Sequence, residues 1–416
     1  MKKRYQVLTV LAILSMITFL DRIALSSASK RIIDDLQLST SQWGWVLGMF
    51  TLAYAAFEIP TGWLGDRIGG KKVLIRVVLW WSFFTILTGF ANGFLMLMIV
   101  RFLFGMGEAG AYPNSSIVLS KWFPASERGT GQAVIWGFSR IGAALTPWIV
   151  IPIQQHFGWQ ACFYFLGGIG ILWTIFWVIW HKEDPTESKN IQQEELQHIL
   201  ATRELPEKHQ LTGSFRNAFR SSNLWFLLAM YFCYAIGAYF FQSWFFTYLQ
   251  KGRGIAESDL YWAASLPYLL AAAGCLSGGY LSDWACKRLG KKWGRRIVPM
   301  IGLFVSGICI IVGTLTTNNT HTVVYLAMGM AFMDFTAPVA WAAAMDMGGD
   351  RSGTVSGTMN TAGLTGAYLS TVSFGYLAAA KGYDFPVMLI GVILVIGAFI
   401  WFRIDTTKKI NFEFNP

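Results

Sequence analysis

The sequence predicts an all-α membrane protein whose twelve transmembrane helices form two pseudosymmetric six-helix bundles. Three observations lead there: the composition, the spacing of the apolar runs, and a short segment that recurs about half a chain later. Of 416 residues, 54% are hydrophobic and 13% charged, where soluble domains carry about 25% charged residues. The mean hydropathy is +0.45. Most of the chain is therefore surrounded by lipid.

A helix needs about 20 apolar residues to cross the hydrocarbon core, because its backbone polar groups must be satisfied within the segment itself. Runs of that kind lie near residues 7–29, 43–64, 73–92, 94–119, 129–151, 160–180, 223–249, 258–282, 297–316, 322–344, 353–379 and 383–403. The first follows the basic start of the chain and continues through a charged pair to Ala28 without a small-residue cleavage site. It reads as a retained span and not as a signal peptide.

One long polar stretch, His181 to Ser222, separates the sixth run from the seventh. It divides the chain into an N-terminal bundle (1–180), a cytoplasmic linker (181–222) and a C-terminal bundle (223–416). Within the linker, Glu194, Glu195, Leu196 and Ile199 predict a short surface helix with its acids in water. The recurring segment is Gly62-Trp63-Leu64-Gly65-Asp66, at the end of the second run, which matches Gly279-Tyr280-Leu281-Ser282-Asp283 at the end of the eighth. Repeated halves that rock around a midplane site are a common construction of secondary transporters.

The net charge of +10 belongs to the connections, since Arg22, Arg101 and Arg140 are the Lys or Arg residues that fall inside long apolar runs. That distribution gives no nucleic-acid surface. One set of connections carries Lys2, Lys3, Arg4, Arg67, Lys71, Lys72, Arg76, Lys121, Arg128, Lys287, Arg288, Lys291, Lys292, Arg295, Arg296, Arg351, Lys408 and Lys409. The opposite set carries Lys30, Arg31, Lys251, Arg253 and Lys381. The positive-inside rule then places both termini in the cytoplasm. Five dispersed cysteines without a C-x-x-C spacing read as packing thiols, and five histidines in loops or at helix ends offer no metal site.

Charges in mid-membrane each cost about 2.5–3.5 kcal/mol and so face partners or a wet cavity. Asp21 and Arg22 lie inside the first span, Arg101 and Glu108 inside the fourth. Seven residues at about 100° each bring Glu108 back to within about 20° of Arg101, roughly 10 Å along the axis. They face the same way and need partners from other helices. Tyr112, Pro113 and Asn114 extend this stripe and predict a polar strip lining a central cavity. Asp21 and Arg22, adjacent on a helix, should face different neighbours.

The segment Gly62-Trp63-Leu64-Gly65-Asp66-Arg67-Ile68-Gly69-Gly70-Lys71-Lys72 resembles the signature between the second and third helices of the major facilitator superfamily. In that family the element is a conformational latch, which the resemblance assigns to Gly62, Asp66 and Arg67, with Asp283 as the repeat's counterpart. Asp66 can accept from a neighbouring helix N-terminus. The same stretch nearly spells a P-loop, but Lys72 stands where Ser or Thr must ligate Mg²⁺, and no strand precedes it.

Asp21-Arg22, together with Arg101 and Glu108-Ala109-Gly110-Ala111-Tyr112-Pro113-Asn114, resembles the anion:cation symporter branch of that superfamily, which includes sugar-acid permeases and the sialic-acid and vesicular glutamate carriers. Trp122-Phe123-Pro124, Glu127-Arg128, Trp341, Asp346 and Met359-Asn360 extend the resemblance over the chain. It implies uptake of a small organic anion with protons, a sugar acid or related carboxylate, in a bacterial inner membrane. The proton is the coupling ion, with no cofactor, no metal and no enzymatic activity. Asp21 and Glu108 match the proton-titrating acids, and Arg22 and Arg101 the anion-binding bases. Desolvation favours a protonated carboxyl and a neighbouring arginine an ionised one, so an anion competing for the arginine couples the two. Fixed interhelical pairing is the plainer alternative.

Tyr54 matches a cavity tyrosine, with Glu58 one turn on assigned to the latch network. Gln242, on a face with Tyr231, Tyr234 and Ala238, matches a substrate-contacting position, although packed aromatics explain that face nearly as well. Tyr112, Asn114, Trp341 and Asn360 complete the expected substrate contacts. Two departures stand out: Thr18-Phe19-Leu20-Asp21 lacks a tyrosine that sugar-acid permeases often carry, and Arg140 adds a third intramembrane arginine. Arg140 either binds a second anionic group or neutralises Glu108, and Asp334 is unassigned. A monomer in the lipid bilayer is expected. The competing readings are an exporter of a metabolite or drug and, from another class, a membrane transceptor.

Overall fold

The computed structural model describes residues 2–124, 127–188, 191–202 and 215–410, and helices account for its regular structure. The first six spans are α1 (Lys3–Ser27), α2 (Thr40–Ile68), α3 (Gly70–Thr88), α4 (Phe94–Trp122), α5 (Arg128–Phe157) and α6 (Trp159–Trp180). After α7 (Ser222–Gly252), a long helix, Leu260–Leu315, breaks at Gly290 into α8 (260–289) and α9 (291–315). The chain closes with α10 (Asn319–Gly348), α11 (Ser352–Lys381) and α12 (Asp384–Arg403). Eight stretches are apolar enough on composition alone to cross a bilayer, one of them holding both α8 and α9. The other three spans are α2, α3 and α11, diluted by Glu58, Asp66 and Arg67, by Lys71, Lys72 and Arg76, and by a run of Gly, Ser and Thr respectively.

The chain divides into two compact units, residues 1–208 and 209–416. This division falls inside the stretch 181–222, of which residues 189–190 and 203–214 lie outside the described residues. Each unit repeats the same local solutions. At the α2–α3 and α8–α9 junctions the chain turns at Gly69 (φ 94°) and Gly290 (φ 79°), a left-handed backbone that a β-carbon would strain. In each unit a glycine faces a proline ring: a Cβ at Gly62 would sit 3.4 Å from Pro113, and one at Gly279 3.8 Å from Pro338. Both prolines also explain a break. Proline lacks the N–H that would bond the carbonyl four residues back and crowds it. Accordingly α4 is interrupted at Ala109–Gly110 and α10 at Asp334–Phe335.

The helix starts on the predicted cytoplasmic side are capped by distant acids. Glu183, just past α6, accepts the backbone N–H of Lys71 at 2.9 Å and pairs with Lys121 at 2.5 Å. It thereby satisfies an orphan donor and places negative charge at the positive end of α3. Asp66, expected to serve a neighbouring helix start, is exposed and makes no hydrogen bond or ion pair among the described residues. The linker also differs from expectation. Its helix, Gln193–Thr202, buries Ile199 and Glu195, and Glu195 accepts the backbone N–H groups of Lys3 and Arg4 at 2.9 and 3.0 Å. This acid is the N-terminal cap of α1 and is not solvated, while Glu194 is exposed.

Beside Glu183, the buried ring of His181 stacks on Trp177 at 3.8 Å, and its carbonyl accepts from the Lys71 ammonium. Burial, then the charges of Lys71, Lys3 and Lys121, push its pKa from 6.5 down to about 3. Neither ring nitrogen has a hydrogen-bond partner.

Two outcomes follow from these ends. Removing the α1 cap with Glu195→Ala should cost about 1–2 kcal/mol of stability, read as thermal unfolding in detergent, whereas Glu194→Ala should change it by less than about 0.5 kcal/mol. Equal effects would remove Glu195 as a cap. For His181 the folded pKa lies below the unfolded one, so its neutral state contributes stability that is complete above pH 6.5 and drains away as pH falls toward 3. Thermal unfolding followed over that window should slope less steeply in His181→Phe, which keeps the stacking and cannot be protonated.

Candidate functional site

Three helices of the first unit, α1, α4 and α5, carry the intramembrane charges. The Arg22 Nε on α1 donates to Glu108 Oε1 on α4 at 2.8 Å, with side chains 8% and 0% exposed. Asp21 points elsewhere, as adjacent positions on a helix require. It is 1% exposed, its two oxygens accept no hydrogen bond, and the Trp81 indole on α3 lies toward it short of bonding geometry. Arg101, 3% exposed, makes no hydrogen bond or ion pair among the described residues, yet it feels the charges of Glu108 and Asp21. The pairing of Glu108 with Arg22 answers one expectation for Arg140, which is that Arg140 neutralises Glu108. That position is held by Arg22.

Aromatic faces hold the guanidinium groups. Arg22 lies over Tyr54 at 4.7 Å, over Phe19 and Phe50 at 5.2 Å each, and over Tyr112 at 6.0 Å. Arg101 lies over Phe104 at 4.3 Å and Phe50 at 5.3 Å, and Arg140 on α5 over Phe19 at 5.9 Å. Contacts of this kind contribute from about 0.5 to about 2 kcal/mol, rising as the cation is desolvated. Tyr112 stacks on Trp136, with centroids 4.5 Å apart, and shares a 2.9 Å hydrogen bond with Ser15. The close α2–α4 crossing that puts Phe50 under both arginines depends on Gly105, where a Cβ would lie 2.5 Å from the Phe50 carbonyl.

Within the first unit these groups pack against one another and against aromatic rings. Two hollows of the surface, one flanked by Ile236, Phe374 and Pro386 and the other by Phe57, Thr61, Arg76 and Trp80, do not include them. Asn114, expected to contact substrate, is fully buried and bonds the carbonyls of Gly110 at 2.8 Å and Thr61 at 3.3 Å. Its amide oxygen fills the space left by Gly65, so it joins α4 to α2. Of the latch positions, Gly62 meets Pro113, and exposed Arg67 stacks on Trp63 at 3.9 Å. Asp283 differs from its counterpart Asp66: it accepts from Arg295 at 2.7 Å, and Arg295 also approaches Asp346 at 3.5 Å.

In the second unit Gln242 is half-buried in a π-helical turn, Phe240–Trp244, and its Oε1 accepts no hydrogen bond. Trp341 donates to the Tyr231 hydroxyl at 3.2 Å, Tyr234 donates to fully buried Asp334 at 3.0 Å, and Asn360 is half-buried on α11. Among the described residues no group of three or more His, Cys, Asp or Glu could hold a metal ion. The ring partners Phe19, Phe50 and Phe104 were not singled out from sequence, although Phe19–Arg22 and Arg101–Phe104 show the three-residue spacing that brings side chains together on a helix. Trp81 carries no such signal.

The family model of the Major Facilitator Superfamily matches residues 11–367. The chain is 34% identical to the "Probable sulfoacetate transporter SauU" of Cupriavidus necator over 95% of its own length and 93% of that protein's. It is 31% identical to the hexuronate transporter of Bacillus subtilis, covering 89% and 87% of the two chains, and 28% identical to the D-galactonate transporter of Escherichia coli, covering 95% and 94%. Two structures of a bacterial homolog of the human lysosomal transporter Spinster, inward-facing and either unoccupied or occupied, match its fold over 96% of both chains, with TM-scores of 0.77 and 0.79 at 19% identity. With twelve spans among the described residues, the repeated glycine–proline contacts and this match over most of its length, the chain belongs to the major facilitator superfamily and is a multi-pass membrane transporter, not an enzyme.

Proposed function

We infer that the protein is a proton-coupled symporter that imports a small organic anion, a sugar acid or related carboxylate, by alternating access through a bacterial inner membrane. Both termini are cytoplasmic and the working unit is a monomer. The observation that carries this reading is the buried Arg22–Glu108 pair, flanked by an Asp21 that accepts no hydrogen bond and an Arg101 without an ion pair among the described residues. An entering carboxylate competes with Glu108 for Arg22 while Arg101 supplies a second donor fork. Glu108, losing its cation in a desolvated site, takes up a proton, and Asp21 supplies a second titrating group. Tyr54 and Tyr112 border the anion, and Gln242, Trp341 and Asn360 are the polar contacts offered by the second unit. Gly62, Asp66, Arg67 and Asp283 serve conformational change. Relatives named for sulfoacetate, hexuronate and galactonate support the anionic cargo.

Proteoliposomes test this reading. An inward proton gradient should accelerate accumulation of a transported carboxylate, and a gradient without effect on any carboxylate would exclude the coupling. Asp21→Asn and Glu108→Gln should lose concentrative uptake but keep counterflow exchange. If both retain full gradient-driven uptake, neither acid carries the proton. Arg101→Ala should weaken anion binding by at least about tenfold, the equivalent of 1.4 kcal/mol, measured by ligand-induced thermal stabilisation. Unchanged affinity would place Arg101 outside the site.

A further inference from the structure

Asp21 on α1 and Trp81 on α3 are two buried polar groups that meet without bonding. The Asp21 carboxyl is 1% exposed and neither of its oxygens accepts a hydrogen bond among the described residues, and the fully buried Trp81 indole donates none from its Nε1–H. The indole lies toward the carboxyl short of bonding geometry. Leaving a buried donor or acceptor unmet costs more than a made bond returns, so two complementary groups left unmet at one place mark a contact that another state of the protein completes. Trp43, Trp122 and Trp177 in the same unit also have unmet N–H groups, but Trp81 has a carboxyl at hand. The spacing of the pair has a common support in α6. Its Gly167 and Gly170 approach α3 at Ser82, where a Cβ at Gly170 would lie 3.7 Å from Trp81 Nε1. Its Trp173 donates to the Val10 carbonyl of α1 at 3.2 Å.

We propose that Trp81 is a positioning residue for the Asp21 proton: its N–H closes onto Asp21 when the carboxyl is ionised and parts from it when the carboxyl is protonated, which sets the pH at which Asp21 releases its proton. The proposal rests on the proton-symport reading above and deepens it, since that reading gives Asp21 a proton but no group that stabilises the carboxylate once the proton has left. Indole is a donor only, and it bonds an ionised oxygen about twice as strongly as a neutral one. Of the charges around Asp21, Glu108 on α4 repels the ionised form and Arg101 on α4 attracts it, while Arg22, next to it on α1, is bonded to Glu108. Glu58 on α2, Arg76 on α3 and Arg140 on α5 are the other charged groups away from the ends of these helices, and the α6 span, Trp159–Trp180, has none. Because the indole is neutral, it stabilises the carboxylate without adding a cation beside Arg22 and Arg101.

The test is an infrared difference titration of the purified full-length protein in lipid vesicles, which needs no substrate. It follows the C=O band of the protonated carboxyl that Asp21→Asn removes. Two replacements take away the N–H: Trp81→Phe, and benzothienylalanine placed at position 81, which keeps the shape of tryptophan and has sulfur where the donor was. In both, the midpoint of the Asp21 band should move to higher pH by about one unit, a tenfold gain in proton affinity, because the ionised form has lost its donor. A role in packing alone would lower the thermal stability of Trp81→Phe, spare the benzothienylalanine protein and leave the midpoint in place. An unmoved midpoint in the benzothienylalanine protein would therefore overturn the proposal and leave the symport reading standing. Absence of any titrating band that Asp21→Asn removes would overturn the assignment of a proton to Asp21, and the proposal with it.

Discussion

The ion pair between Arg22 and Glu108 is the constraint around which the first unit is organised. Two charges withdrawn from water lose several kcal/mol of hydration each, and their attraction recovers this only with close geometry and further partners. The packing supplies both. Gly105 lets α2 approach α4 until Phe50 lies beneath Arg22 and Arg101, and Gly142 lets α5 approach α1 at Met16, beside the turn that carries Phe19. Small residues at these crossings substitute close contact for the hydrophobic drive that lipid removes. Pro113 interrupts α4 directly after Glu108, so the acid sits at the end of a helical segment and not in its middle.

Outside the hydrocarbon the same unit uses carboxylates differently. Glu183 and Glu195 meet backbone N–H groups at the starts of α3 and α1, where helix dipoles concentrate positive potential. Both belong to the stretch that follows α6. That stretch therefore takes part in the architecture of the first unit and is more than a spacer, and its helix is held by its acid and by Ile199 together. The second unit fixes its corresponding region with basic residues instead: Arg295 holds Asp283, and Lys291 holds Asp346.

Nine of the twelve spans were legible from the length and composition that crossing a bilayer imposes; α2, α3 and α11 are more polar, and their place between the others identifies them. The charged cluster was legible because ionised groups in lipid are too costly to be incidental. What stayed hidden involves contacts between residues far apart in the chain. The acid nearest the start of α3 in sequence is Asp66, but the acid that caps it is Glu183, 112 positions from Lys71. Asn114 shares a helix with the site charges, and the difference between a ligand contact and a structural bridge depends on whether α2 lies against it. The breaks in α4 and α10 were readable in principle from Pro113 and Pro338, each four residues past the interruption.

The ring faces beneath the arginines have a consequence for turnover. In the symport proposed above the carrier returns empty after releasing its cargo, and a bare guanidinium in a dry interior would either draw in water or hold the protein in one state. Phe50 and Phe19 are partners that no departing anion can take away. Their quadrupoles offer a constant, modest attraction, weak enough to yield to an oxyanion and always present when it has gone. In that reading Arg22 and Arg101 keep a ring partner between loads, whatever becomes of the contact between Arg22 and Glu108.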